Sequence, residues 1–125
     1  MYRLSQRSWQ RLKGVDPRLV AVVAGALRHA TNDFTVLECL RTQERQRELV
    51  AAGKSQTQRS RHLTGHAVDL GVLVDGQVSW QFDLYRDLAA AMQRSADELG
   101  VGIVWGGTWT SLRDGPHFQL EEPKP

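Results

Sequence analysis

With 125 residues and one cysteine, the chain has room for a single hydrophobic core and no means of building a disulfide framework. Hydrophobic residues at 41% and charged residues at 24% exclude a disordered or fibrous class, and no internal repeat appears. A net charge of +2 favours anionic partners only weakly, and nowhere is there the run of about 18 apolar residues that a membrane-spanning helix needs. The expectation is one domain over 1–125, monomeric, with no integral membrane segment. The amino-terminal "MYRLSQRSWQRLKGVD" is basic but is followed by no apolar stretch of the kind a secretory signal carries, so accumulation in the cytoplasm is expected.

In chain order, "DPRLVAVVAGALRHA" has Asp16 as a cap, Pro17 at the first helical position, and Leu19, Val22, Val23 and Leu27 at helical spacing. His29, near the end of this helix, reads as a solvated histidine. "FTVLECL" over 34–40 follows the turn-prone Asn32-Asp33 and is β-branched at Thr35 and Val36, which predicts a strand with Cys39 as a buried, inert thiol. Thr42 is expected to cap a helix through "QERQRELVAA" that Gly53 closes. "AVDLGVLVDGQVSW" reads as two strands joined across Asp75-Gly76, a strong signal for a tight hairpin. A long helix follows in "DLYRDLAAAMQRSADELG", capped by Asp83 and ended by Gly100, with Leu84, Leu88, Ala91, Met92 and Leu99 toward the core and Tyr85 and Met92 as packing residues. "VGIVWGG" and "HFQLEE" complete the strands. Helices and hairpin-linked strands without a βαβ rhythm predict an α+β fold, a small antiparallel sheet with flanking helices.

Chemistry concentrates in "SRHLTGHAVDL", residues 60–70. His62 and His66 are four apart, yet Gly65 lies between them, no Glu follows His62, and "AVDLGVLV" alternates as a strand does, so the two-histidine helix of many zinc peptidases is ruled out. On a strand, His66 shares a face with Val68, Leu70 and Val72, while Asp69 faces the other way beside Ala67 and Gly71. His62, in the loop before the strand, is then the histidine free to turn back toward Asp69. Catalytic zinc usually takes three protein ligands and keeps one position open. Of the remaining histidines, His117 is the better third candidate, because Gly115-Pro116 turns the chain and holds Asp114 and His117 together at a bend.

The pattern Ser60-x-His62-x-x-Gly65-x-Ala67-x-Asp69, followed by Asp114-x-x-His117, resembles the paired motifs of the zinc peptidases that include D-alanyl-D-alanine carboxypeptidases, VanY and hedgehog-like proteins. "ECLRTQERQ" upstream and "WGGTWTSLRDGPHFQL" downstream are most similar to phage endolysins acting as L-alanyl-D-glutamate endopeptidases, over roughly residues 17–121. The resemblance implies zinc held by His62, Asp69 and His117, with Asp114 as the general base that takes a proton from water and returns it to the leaving amine. Asp rather than Glu at position 114 is shared with the endolysin branch. Arg41 matches the family's upstream arginine, where Leu40 replaces the usual aromatic residue, and would steady the carbonyl oxygen as charge develops on it. Ser60 is placed to orient a ligand or substrate, His66 to line the pocket, and Trp105 and Trp109 to form a wall for the substrate.

The function so implied is cleavage of the L-alanyl-D-glutamate bond in the peptidoglycan stem peptide, for lysis of a Gram-negative host, by an enzyme held in the host cytoplasm until a holin opens the inner membrane. A D,D- or L,D-carboxypeptidase of wall turnover is the rival enzyme reading, with Arg59, Arg61 and Arg113 available to bind a terminal carboxylate. A zinc-containing binding module without turnover is the rival outside enzymes. Nucleic acid is not an expected partner, since neither a recognition-helix motif nor an aromatic-basic stacking platform is present.

Overall fold

The computed structural model describes residues 2–38, 43–53, 65–108 and 114–121. Five short strands, β1 (Phe34–Glu38), β2 (Ala67–Val74), β3 (Gln77–Ser79), β4 (Ile103–Trp105) and β5 (His117–Leu120), pair into one sheet of order β1-β2-β5-β4, with β3 joined to the far half of β2. Every pairing is antiparallel. The α+β fold expected from the sequence is therefore the one observed. Asp75 and Gly76, at φ 52° and 78°, make the two-residue turn between β2 and β3, where the paired left-handed conformations match the twist of the flanking strands.

Strand alternation sorts the sheet into two unlike faces. Phe34 and Val36 of β1, Val68, Leu70 and Val72 of β2, and Phe118 and Leu120 of β5 all enter the hydrophobic core. Helices α2 (Pro17–Ala26) and α4 (Phe82–Leu99) cover that face through Leu19, Val22, Val23 and Ala26 and through Leu88, Ala91, Met92 and Ala96. Ser95 ties the two helices together, its hydroxyl donating to the Val22 carbonyl at 2.7 Å. Tyr85 ties α4 to the hairpin: its hydroxyl donates to the Ser79 carbonyl at 2.6 Å and accepts from the Val72 N–H at 3.1 Å. The alternate residues Ala67 and Asp69 of β2, with His117 and Gln119 opposite them on β5, belong to the other face.

Helix α1 (Gln6–Arg11) is an element the sequence reading did not foresee. Six residues without an apolar stripe give no helical signal. Its purpose is visible at the sheet edge, where an outer strand would otherwise leave backbone groups bare. The buried Ser8 hydroxyl accepts from the Val36 N–H at 3.0 Å, and Arg11 donates to the Val36 carbonyl at 2.7 Å.

Other expectations need correction. Helix α4 is capped by Gln81, without a side-chain bond, and Asp83 sits in its first turn, 3.3 Å from Arg86. Leu99 is 50% exposed rather than in the core, where Ala96 of the same turn lies instead, although the helix does end at Gly100. Helix α2 stops at Ala26, and the following turn brings a half-buried His29 against Glu98 of α4 instead of into solvent. Helix α3 (Gln43–Ala51) is present as expected, whereas Cys39 and its proposed cap Thr42 lie outside the described residues. Among the described residues no helix is long and apolar enough to cross a membrane.

Candidate metal centre

Two features of the backbone fix the entry to β2. Gly65 has φ 75°, and a side chain there would bring its Cβ within 2.5 Å of the Gly14 carbonyl oxygen, so the glycine of the first motif is required twice over. Its own carbonyl accepts from the Asp16 N–H at 2.9 Å, and the His66 carbonyl accepts from the Leu120 N–H at 2.9 Å. The strand therefore starts in a set register, and the side chain of Asp69 falls on the face away from α2 and α4.

The His66 side chain goes elsewhere. Its Nε2 is 3.8 Å from Oδ2 of Asp16, the residue that caps α2. A side-chain hydrogen bond from Arg18, helped by the Arg18 backbone N–H, holds the Asp16 carboxyl down at about 2, so it stays ionised beside His66. His66, the residue just before β2, is thus turned toward Asp16. Replacing His66 with Ala should leave divalent-cation affinity, read by titration calorimetry, well short of the roughly 10- to 100-fold loss that follows removal of a residue orienting a metal ligand. A loss of that size would put His66 with the metal site after all.

The second motif is shaped from three sides. Asp114 donates its N–H to the Gly106 carbonyl at 3.1 Å, and the His117 N–H reaches back to the Asp114 carbonyl at 3.3 Å, closing the expected bend. Trp105 donates its indole N–H to the Gly115 carbonyl at 2.7 Å while its ring stacks on Phe82 at 5.5 Å. Trp105 thereby braces the bend from behind. β5 then delivers His117 directly opposite Asp69 in the ladder.

The outcome is a cluster in which Asp69, Asp114 and His117 each offer one ligand atom, all within 4.8 Å of one another. His117 is buried, and its Nδ1 lies 3.2 Å from Asp69 Oδ1. Burial opposes a charge on His117, but the hydrogen bond and charge of Asp69, with Gln119 and Asp114 adding to them, outweigh it and raise its pKa above the ordinary histidine value. Two carboxylates so close repel unless a proton or a cation lies between them. Carboxylate oxygens with an imidazole nitrogen are a donor set that a divalent ion such as zinc accepts, and a site on a sheet face at a chain bend leaves room for an exchangeable ligand. These residues fit a metal.

Two of the three expected ligands, Asp69 and His117, are thus together, and Asp114 is beside them. His62, Ser60, Arg41 and Trp109 lie outside the described residues, as do Arg59, Arg61 and Arg113. Two neighbours were not anticipated. Gln119 Oε1 is 2.9 Å from His117 Nε2, and the alternation of "HFQL" would have revealed it, since residues two apart on a strand share a face. Glu38 stands opposite Asp69 because the β1–β2 register shifts between Val36 and Glu38, an irregularity no local pattern announces.

Comparison with known proteins follows the same lines. Residues 1–120 match the family described as phage L-alanyl-D-glutamate peptidase. The L-alanyl-D-glutamate peptidase of Escherichia phage T5 is 26% identical over 117 residues, covering 90% of this chain and 85% of that protein. That of Listeria phage A118 is 39% identical over 88 residues, which are 70% of this chain but 30% of that protein. Among solved structures, the L-Ala D-Glu endopeptidase ChiX of Serratia marcescens superposes with a TM-score of 0.89 at 52% identity, over 95% of this chain and 90% of ChiX. The vancomycin-resistance D,D-dipeptidase VanXYg shares the fold, with a TM-score of 0.53 at 16% identity over 85% of this chain and 50% of its own.

Proposed function

Because the chain belongs to the family of phage L-alanyl-D-glutamate peptidases, we propose that it is a zinc-dependent endolysin cutting the L-alanyl-D-glutamate amide of the peptidoglycan stem peptide. The observation that carries the reading is the convergence of Asp69, Asp114 and His117 on the face of the sheet opposite α2 and α4, in a chain 52% identical to an L-Ala D-Glu endopeptidase. His62, Asp69 and His117 would hold the ion. When bound, zinc polarises a carbonyl and lowers the pKa of water toward neutrality, the two things amide hydrolysis lacks in solution.

The chain's own residues supply the rest. Asp114 takes the proton of the attacking water and hands it to the leaving amine, so that neither hydroxide nor an amide anion need be released. Arg41 offsets the negative charge growing on the carbonyl oxygen, a contribution of about 2.7–4 kcal/mol where single donors of this kind have been removed. Ser60 orients substrate or a ligand. The enzyme acts as a monomer on the stem peptide, accumulating in the host cytoplasm until a holin gives it access to the wall, and its action lyses the host.

Digestion of purified peptidoglycan followed by mass spectrometry of the soluble fraction tests the reading. Peptides beginning with D-glutamate should appear, with L-alanine left on the glycan, and a chelator should abolish their release until zinc is restored. Loss of terminal D-alanine alone would replace the endopeptidase with a carboxypeptidase. Zinc uptake without any product would leave a binding module.

A further inference from the structure

We propose that Gln119 is a positioning residue that fixes the tautomer of His117, keeping the proton on Nε2 so that Nδ1 presents its lone pair to the cation. The inference rests on the reading of His117 as a metal ligand. A neutral imidazole carries one ring proton, and only the bare nitrogen can bind a metal; which nitrogen is bare is decided by what the other one is bonded to. In this site both nitrogens face an oxygen. Nδ1 is 3.2 Å from Asp69 Oδ1 and Nε2 is 2.9 Å from Gln119 Oε1. Were the proton on Nδ1, it would be donated to Asp69 and would stand where both residues must meet the ion. An amide carbonyl oxygen only accepts, so Gln119 retains the proton on the far side of the ring.

The sheet makes this arrangement rigid. His117 and Gln119 are alternate residues of β5, hence on one face, and Gln119 is held between Ala67 of β2 and Val104 of β4 as ladder partners. Ala67 contributes only a methyl group directly opposite Gln119, which leaves the longer amide space to lie along the imidazole. The small residue of the first motif and the glutamine following the second are therefore two halves of one device. A cation beside Asp69 needs the lone pair of Nδ1, and Gln119, by holding the ring proton on Nε2, leaves that lone pair bare.

The test uses nitrogen-15 spectra of the histidine rings in the zinc-loaded chain, together with zinc affinity by chelator competition for the wild type, Gln119→Leu and Gln119→Glu. The zinc-loaded wild type should show His117 protonated at Nε2 and bound through Nδ1. Gln119→Leu should bind zinc about 10- to 100-fold more weakly, the usual cost of losing a residue that orients a ligand, while Gln119→Glu, which still accepts from Nε2, should recover most of the loss. Wild-type affinity in Gln119→Leu, or no recovery in Gln119→Glu, overturns the inference. So does a wild-type spectrum with the metal on Nε2, which decides the matter even if the leucine variant does not fold. A wild-type chain that takes up no zinc instead overturns the metal reading itself, and this inference falls with it.

Discussion

Replacing Asp114 with Asn is expected to slow release of stem peptides by about 10²- to 10⁴-fold, the range that general acid–base groups contribute, while the fold and zinc uptake persist. The separation is possible because different atoms of Asp114 do different work. Its backbone N–H and carbonyl, bonded to Gly106 and His117, form the bend and are untouched by the substitution. Asn matches Asp in shape but cannot take a proton at neutral pH. Because Asp114 also lies within ligand distance of Asp69 and His117, the opposite outcome is informative. A variant that loses zinc along with activity would make Asp114 a ligand, whereas one that hydrolyses at the wild-type rate would remove it from the chemistry. Parallel measurement of product by mass spectrometry and of bound zinc by elemental analysis separates the three.

The parts of this site that were legible beforehand are those governed by local periodicity. Asp69 could be separated from His66 because "AVDLGVLV" alternates, and alternation along a strand is a property of the backbone that tertiary context does not change. The bend at Gly115-Pro116 could be placed because both residues restrict the chain in known ways. The pairing of Asp69 with His117 across 48 positions was not readable from spacing; elimination among the histidines and the family resemblance both pointed to it, and the ladder between β2 and β5 supplies its physical cause. Helix α1 was illegible because it is held by polar contacts to the Val36 backbone rather than by an apolar stripe. Asp83 drew the helix start to itself as a favoured capping residue, yet Phe82 packs against Trp105 and the cap falls on Gln81, two residues sooner. Where burial and long-range pairing decide a boundary, capping preference of about 1 kcal/mol yields. Glu38 opposite Asp69 belongs to the same class, since a register shift depends on both strands at once.

Gly106→Ala is expected to disable the enzyme without replacing any proposed ligand, acid or base. A Cβ at this position would stand 2.5 Å from the Asp114 carbonyl oxygen, 3.0 Å from His117 Cβ and 3.2 Å from Asp114 Cβ. No rotamer relieves the first of these contacts, because both partners are backbone-fixed, and Gly106 is itself bonded to the Asp114 N–H. The bend must move outward, carrying Asp114 and His117 away from Asp69. Trp105 and Phe82, stacked behind the bend, and the β2–β5 ladder resist that motion, so the strain is shared between overpacking, costing about 1–3 kcal/mol of stability, and displacement of the catalytic groups. A displacement of about 1 Å near reacting atoms typically costs about 10²-fold in turnover. The expected result is therefore a fall in kcat of that order with a lowered Tm and weakened zinc binding, since His117 and Asp69 no longer meet at one point. Asp114→Asn should leave zinc in place, so the two variants differ in metal content even where their activities are alike. A Gly106→Ala protein with wild-type turnover and zinc affinity would mean that the bend yields freely, and that the close approach of Gly106, just after β4, to the second motif does not position the site.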